Sequence, residues 1–221
     1  MAIIYADIFG SPNIGVYCFA CEGFAVVPAS TPPGKKKRIS ECLNVDVYEV
    51  NIAGSNLLGV MLAGNSNGLA LPHTAMDHEI EDLRRRIDIN IQTLDERKTA
   101  LGNLILANDK GAVVDPTFTD KTVNTLRDLL QVEVVRCSIA GLPYVGSLGV
   151  ATNKGVITHP MIKSEEQKVI GEVLKVKVEP CTVNGGVPYV KSGLLATSHG
   201  AVAGPLTQGK ELMIISQTMN L

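Results

Sequence analysis

A glycine, a short apolar strand and a proline recur five times from one end of this chain to the other. The pairs are Gly23 with Pro28, Gly68 with Pro72, Gly111 with Pro116, Gly155 with Pro160, and Gly200 with Pro205. Successive prolines stand 44, 44, 44 and 45 residues apart in 221. A period of this size marks a supersecondary unit that buries its apolar face only by stacking on the next copy. The chain is thereby constrained to a symmetric array, which leaves no room for a separate catalytic lobe.

The remainder of each unit aligns on the same frame. Short apolar strands precede the glycines at 16–20, 60–63, 104–107, 148–151 and 194–197. The links that follow are polar in four copies: Asn65-Ser66-Asn67, Asn108-Asp109-Lys110, Thr152-Asn153-Lys154 and Ser198-His199. A glycine closing such a link reads as the left-handed residue of a tight hairpin. The first link, Cys21-Glu22-Gly23, is the least polar. After each proline a helical stripe appears, as in Val123, Leu126, Leu129 and Leu130, or Ile80, Leu83 and Ile87. In the fourth copy Ser164 and Gln167 have capping-box spacing ahead of Val169, Ile170, Val173 and Leu174. A closing strand such as 132–139 completes a β-β-α-β unit.

The array closes on itself. Ile52-Ala53-Gly54 and Ile139-Ala140-Gly141 end units one and three, and the matching Ile8-Phe9-Gly10 lies at the N-terminus. The fifth unit runs out of chain before its closing strand, and residues 2–9 have the sequence to supply it. An N-terminal strand inserted there removes the open sheet edge. The expected fold class is therefore α+β: one domain, 1–221, in a five-fold pseudosymmetric ring. Its repeats are approximately 13–56, 57–100, 101–145, 146–190, and 191–221 completed by 1–12.

Composition narrows the function classes. Hydrophobic residues make up 45% of the chain and tryptophan is absent, so Val, Ile, Leu and Ala must build the core. A net charge of −2 argues against binding held mainly by phosphate contacts. No apolar run approaches the ~20 residues of a membrane span. Asp7 comes too early for a signal peptide, and five cysteines without framework spacing suit reduced thiols, so a cytoplasmic location is expected.

The words Ala100-Leu101-Gly102-Asn103, Ser138-Ile139-Ala140-Gly141, Ala63-Gly64-Asn65 through Pro72, and Thr182-Val183-Asn184-Gly185, set in a five-fold count, resemble the archaeal translation initiation factor 6 family. The resemblance covers the whole chain. It implies a pentein β/α propeller, in agreement with the ring derived above. It also implies a monomeric, cofactor-free protein that binds the intersubunit face of the large ribosomal subunit, prevents association with the small subunit, and acts in large-subunit biogenesis.

A site is expected where the symmetry breaks. Unit two replaces the Ile-Ala-Gly motif by Asp95-Glu96-Arg97-Lys98-Thr99, leading into Ala100, Leu101, Gly102 and Asn103. The glycine of that segment recurs as Gly15, Gly59, Gly146 and roughly Gly193, so these turns are expected to gather at one end of the ring. The resemblance implies that this end meets a ribosomal protein beside the sarcin–ricin loop and that Asn103 is a contact residue. From the residue alone, the alternative for Asn103 is an amide capping its own turn. Eukaryotic relatives carry an arginine after the second of these glycines, where this chain has Val60. The second break is Lys35, Lys36, Lys37 and Arg38, which reads either as a ribosomal RNA contact or as a solvated loop. Arg84-Arg85-Arg86 reads as an exposed helix face.

Two alternatives stand beside this reading. Penteins include guanidine-modifying enzymes with cysteine, histidine and acidic residues. Here Cys18 and Cys21 along one strand point to opposite faces with no second pair, Cys42, Cys137 and Cys181 stand apart from them, and His73, His78, His159 and His199 sit at turns of different units, so no catalytic residue, metal site or cofactor is expected. A non-catalytic ring scaffold for another protein is the third reading, since fold does not fix function.

Overall fold

The computed structural model describes residues 2–221. Among them are five three-stranded sheets, one for each unit. In unit three the strand Ile105–Ala107 pairs antiparallel with Gly111–Val114, which pairs parallel with Glu133–Arg136. The long helix Asp120–Leu130 makes the crossover between the two parallel strands. The other units repeat this plan, with long helices Pro33–Leu43, Asp77–Arg86, Ser164–Leu174 and Gly209–Met219. The third strand of unit five is Ile3–Tyr5, in parallel register with Ala201–Ala203, so the N-terminus closes the ring. It is shorter than residues 2–9, because Ile8 and Ser11 already pair across a turn.

The five apolar clusters lie between neighbouring units, as where Ala63, Ala70 and Leu94 of unit two join the unit-three residues. In unit three Val123, Leu126, Leu129 and Leu130 pack on Ala112, Val114 and Val134. Aliphatic side chains dominate all five clusters, as a chain without tryptophan requires. The central strands are buried on both faces, which explains why they read as continuous apolar runs.

The periodic glycines have a different cause from the one expected. Gly68, Gly111, Gly155 and Gly200 do not have left-handed φ. A Cβ on them would lie 2.2, 2.1, 2.2 and 2.0 Å from the carbonyl oxygens of Leu129, Val173, Thr218 and Cys42. Those carbonyls belong to the last turns of the next unit's long helix, so the 44-residue glycine records a backbone approach between neighbours. Left-handed residues occur instead in the turns that end units: Phe9-Gly10, Ala53-Gly54, Ala140-Gly141 and Asn184-Gly185. Side chains organise the hairpin links. Asn108 Oδ1 accepts the Lys110 and Gly111 N–H groups, while its Nδ2 donates to Thr152 O and Leu174 O in the next unit. Asn65 repeats the pattern onto Asn108 O and Leu130 O.

The capping expected at Ser164 and Gln167 falls one residue upstream. Glu166 accepts the Lys163 N–H and also the Ala140 and Gly141 N–H groups of the preceding turn. Glu79 and Glu211 hold the turns at Ala53-Gly54 and Gly185-Gly186 in the same way. Burial pushes these carboxyls up, but the N–H donors outweigh it and hold all three below the ordinary range. Gln167 instead donates to Val178 O.

Candidate functional site at the short-helix end

Each unit's first strand is shorter than expected, because the chain ahead of it coils into one helical turn. These turns are Ile14–Tyr17, Leu58–Met61, Leu101–Leu104, Val145–Leu148 and the 3-10 turn Val190–Gly193. Each begins with a fully buried apolar residue: Ile14, Leu58, Leu101, Val145 and Val190. Aligned on that residue, the next positions are Gly15, Gly59, Gly102, Gly146 and, in unit five, Lys191 rather than Gly193. The five turns do gather, as an inner ring around the axis.

Their glycines are buried within it. A Cβ on Gly15 would meet Lys191 O at 1.8 Å, on Gly59 Gly15 O at 2.0 Å, on Gly102 Gly59 O at 2.1 Å, and on Gly146 Gly102 O at 2.3 Å. Each glycine therefore seats on the carbonyl of the preceding turn. Gly15, Gly59, Leu101, Gly102 and Gly146 hold the ring together from inside, and a partner arriving from solvent meets the residues beside them.

Those neighbours form the outer face. Asn13, Leu57, Ala100, Tyr144 and Tyr189 stand just ahead of the five turns, and Leu57, Tyr144 and Tyr189 are exposed. Met161 and Leu206 follow the prolines at the same end of the strands, and Phe9 and Met76 lie in the turn and helix start beside them. Among the described residues, seven of the nine large exposed apolar side chains thus lie opposite the hairpins, with Tyr5 and Met213 the exceptions. Asn103 is half-buried on this face. Its N–H bonds to Ala100 O, and among the described residues its side-chain amide makes no hydrogen bond within the protein. The reading of Asn103 as its own cap therefore fails, and its amide faces an open groove lined by Arg97, Lys98, Ala100, Asn103 and Tyr144.

The divergent segment of unit two, 95–99, frames the groove. Lys98 Nζ is 2.7 Å from the buried Asp115 carboxylate, also bonds Thr117 Oγ1, and lies over the Phe118 ring. Burial pushes the Asp115 carboxyl up, but the Lys98 and Thr117 bonds outweigh it and hold it low. Thr122 takes the place of the turn-binding glutamate and donates to Glu96 Oε2. Lys191 went unrecognised in the sequence because the count was anchored on glycine. Anchoring on the apolar residue ahead of it would have revealed the exception.

The cation run is largely consumed within the protein. Lys35 pairs with Asp7 at 3.0 Å, and Lys36 with Glu49 at 2.6 Å. Lys37 reaches Glu41 at 3.8 Å and Arg38 donates to Tyr5 O at 3.5 Å, both in exposed positions. Arg84, Arg85 and Arg86 are all exposed, as expected of a solvent-facing helix surface; Arg85 and Arg86 pair with Asp82, and Arg84 donates to Ile91 O.

The thiols are in the wrong state for nucleophilic chemistry. Burial pushes Cys18 and Cys21 up to about 12 and raises Cys42, Cys137 and Cys181. His73 bonds Glu96 O, and His159 Nδ1 accepts the Met161 N–H beside Tyr189. Among the described residues no group of three metal-ligating side chains converges, and no helix is long and apolar enough to cross a membrane.

The chain is similar in sequence to known proteins. The chain is 43% identical over 187 residues to translation initiation factor 6 of Cenarchaeum symbiosum, covering 85% of each. It is 39% identical over 151 residues to the factor of Staphylothermus marinus, and 41% over 145 to that of Methanopyrus kandleri. These two matches cover 67% and 66% of this chain and span about two thirds of the relatives' own length, 66% and 65%. A solved dimethylarginine dimethylaminohydrolase overlaps 76% of this chain and 68% of its own at a TM-score of 0.47 and 13% identity. The family model described as the eIF-6 family matches residues 3–218, and the chain belongs to that family.

Proposed function

We propose that this protein binds the intersubunit face of the large ribosomal subunit through its short-helix end and so prevents the small subunit from joining. One observation carries the reading. Seven of the nine large exposed apolar side chains among the described residues and the Asn103 amide share one end of the ring. Surfaces of this kind mark interaction sites. With a net charge of −2 and the Lys35–Arg38 run mostly paired, recognition rests on shape, apolar contact and hydrogen bonds, and a ribosomal protein beside the sarcin–ricin loop is the partner of choice. A compact chain of this length is roughly 45 Å across, enough to block joining by bulk without turnover. The free protein is a cytoplasmic monomer needing no cofactor or metal, and its other role is in large-subunit biogenesis.

The test joins occupancy to geometry. The protein should cosediment with free large subunits on a sucrose gradient and block joining in proportion to its occupancy. Asn103→Asp keeps the size but exchanges amide donors for acceptor-only oxygens and adds a charge. Loss of such a bond costs ~1–3 kcal/mol, or about 5- to 150-fold in affinity. The variant should fold normally and permit joining at concentrations where the parent blocks it. If it blocks as well as the parent while Lys36→Glu with Lys37→Glu abolishes blocking, the face is wrongly assigned.

A further inference from the structure

Four of the five inner-ring positions hold glycine, and the fifth holds the longest of the amine side chains. The four glycines seat on the preceding carbonyls and leave little space at the axis, where a cavity of about 50 Å³ remains. Lys191 sends its side chain into that space. Its Nζ donates to Gly102 O at 2.7 Å, and a Cβ on Gly102 would lie 2.9 Å from it. Gly102 belongs to unit three and Lys191 to unit five, so the side chain reaches past unit four to a turn that is not its neighbour. No carboxylate lies within ion-pair distance of this amine among the described residues. A desolvated amine with one carbonyl acceptor is expensive, and glycine serves at the four equivalent positions without it. Burial lowers its proton affinity accordingly, to about 7.

We propose that Lys191 is a positioning residue, which crosses the ring axis to hold the Gly102 carbonyl and thereby fixes the orientation in which Asn103 is presented to its partner. The second half rests on the docking reading given above. Leu101–Leu104 is a single helical turn, too short to hold itself. Gly102 O also receives Gly146, so the contact Lys191 makes is placed where two turns meet. A shift there moves the Asn103 side chain, the adjacent residue, relative to Ala100 and Tyr144 in the groove.

The experiment compares the full-length protein with Lys191→Met, which keeps the bulk and removes the donor. Lys191→Gly, which installs the residue of the other four units, serves if the first fails to fold. Three quantities are read: amide exchange in the free protein, melting temperature, and affinity for purified large subunits. Exchange at residues 101–105 should rise about tenfold while that of Gly111–Val114 and Asp120–Leu130 stays unchanged. The melting temperature should hold or increase, because a buried amine has been removed. Affinity should fall about tenfold. A merely structural lysine would lower stability and raise exchange throughout unit five instead, and that result overturns the proposal. Unchanged exchange at 101–105 overturns it as well, whatever the binding. If exchange rises and Asn103→Asp weakens binding while Lys191→Met does not, positioning for docking is refuted. If neither variant weakens binding, the failure lies with the docking face itself.

Discussion

The two ends of the ring use their polar groups in opposite ways. At the hairpin end they are spent on the protein. Asn65 and Asn108 each bind two carbonyls outside their own hairpin, Thr197 donates to Leu43 O, and Glu22 accepts from Asn153 and Ser198. Asp109 takes both the N–H and the hydroxyl of Ser66. This end is a closed belt with little left for a partner. At the short-helix end, backbone closes the ring through glycine–carbonyl contacts, so the side chains around it remain free. Leu57, Tyr144, Tyr189 and Asn103 are available because glycines beneath them do the holding. A five-fold ring can thus dedicate one end to its own closure and leave the other for recognition.

Removing closure altogether should give the largest effect. Deleting residues 1–9 strips Ile3–Tyr5 from Ala201–Ala203 and exposes a central edge. Stability should drop by several kcal/mol, on the order of a small domain's whole margin. Urea unfolding checks this, and a truncated chain that melts like the parent would refute closure by the N-terminus.

A smaller loss should separate the two ends. Asn108→Ala abandons two buried carbonyls and two N–H groups at the belt, and should cost about 2–4 kcal/mol. If docking uses the short-helix end as proposed, affinity for the large subunit should be unchanged at temperatures where the variant is folded. Asn103→Asp should show the reverse pattern, with stability retained and affinity lost. Weakened binding by folded Asn108→Ala would break the division of labour.

Acidity should act most gently, and at the recognition end. Glu79, Glu166 and Glu211 have carboxyls held below their ordinary 4.5 by turn N–H groups, and Asp7 below 3.8 by Lys35. A depressed carboxyl contributes stability that is fully present above its unfolded value and lost as pH falls through the folded one. Melting temperature should therefore be flat with respect to these groups above about pH 5 and decline below 4.5. Glu166→Gln should melt lower at neutral pH and show a shallower acid decline. Lys191 acts in the same direction in a higher window: its amine is lowered from 10.5 to about 7, so the unfolded chain binds more protons between those values and stability should rise with pH there too.

Periodicity in the sequence was enough to specify the number of units, their β-β-α-β order, the helical stripes at Val123–Leu130 and the need for an N-terminal closing strand. Such features depend on local patterning and on counting, both of which one chain displays. Gly111 was legible as a required glycine, but its reason was not, because the Val173 carbonyl that excludes a Cβ lies 62 residues away in the next unit. The same limit concealed the pairing of Lys35 and Lys36 with Asp7 and Glu49, since charges in sequence carry no partner. Gly15, Gly59, Gly102 and Gly146 were rightly grouped, yet only the tertiary structure decided that they face inward while Asn103 faces out. Lys191 shows the limit most clearly. Its sequence neighbours make it an ordinary surface lysine, and only the closed ring brings Gly102 across the axis to within 2.7 Å of its amine.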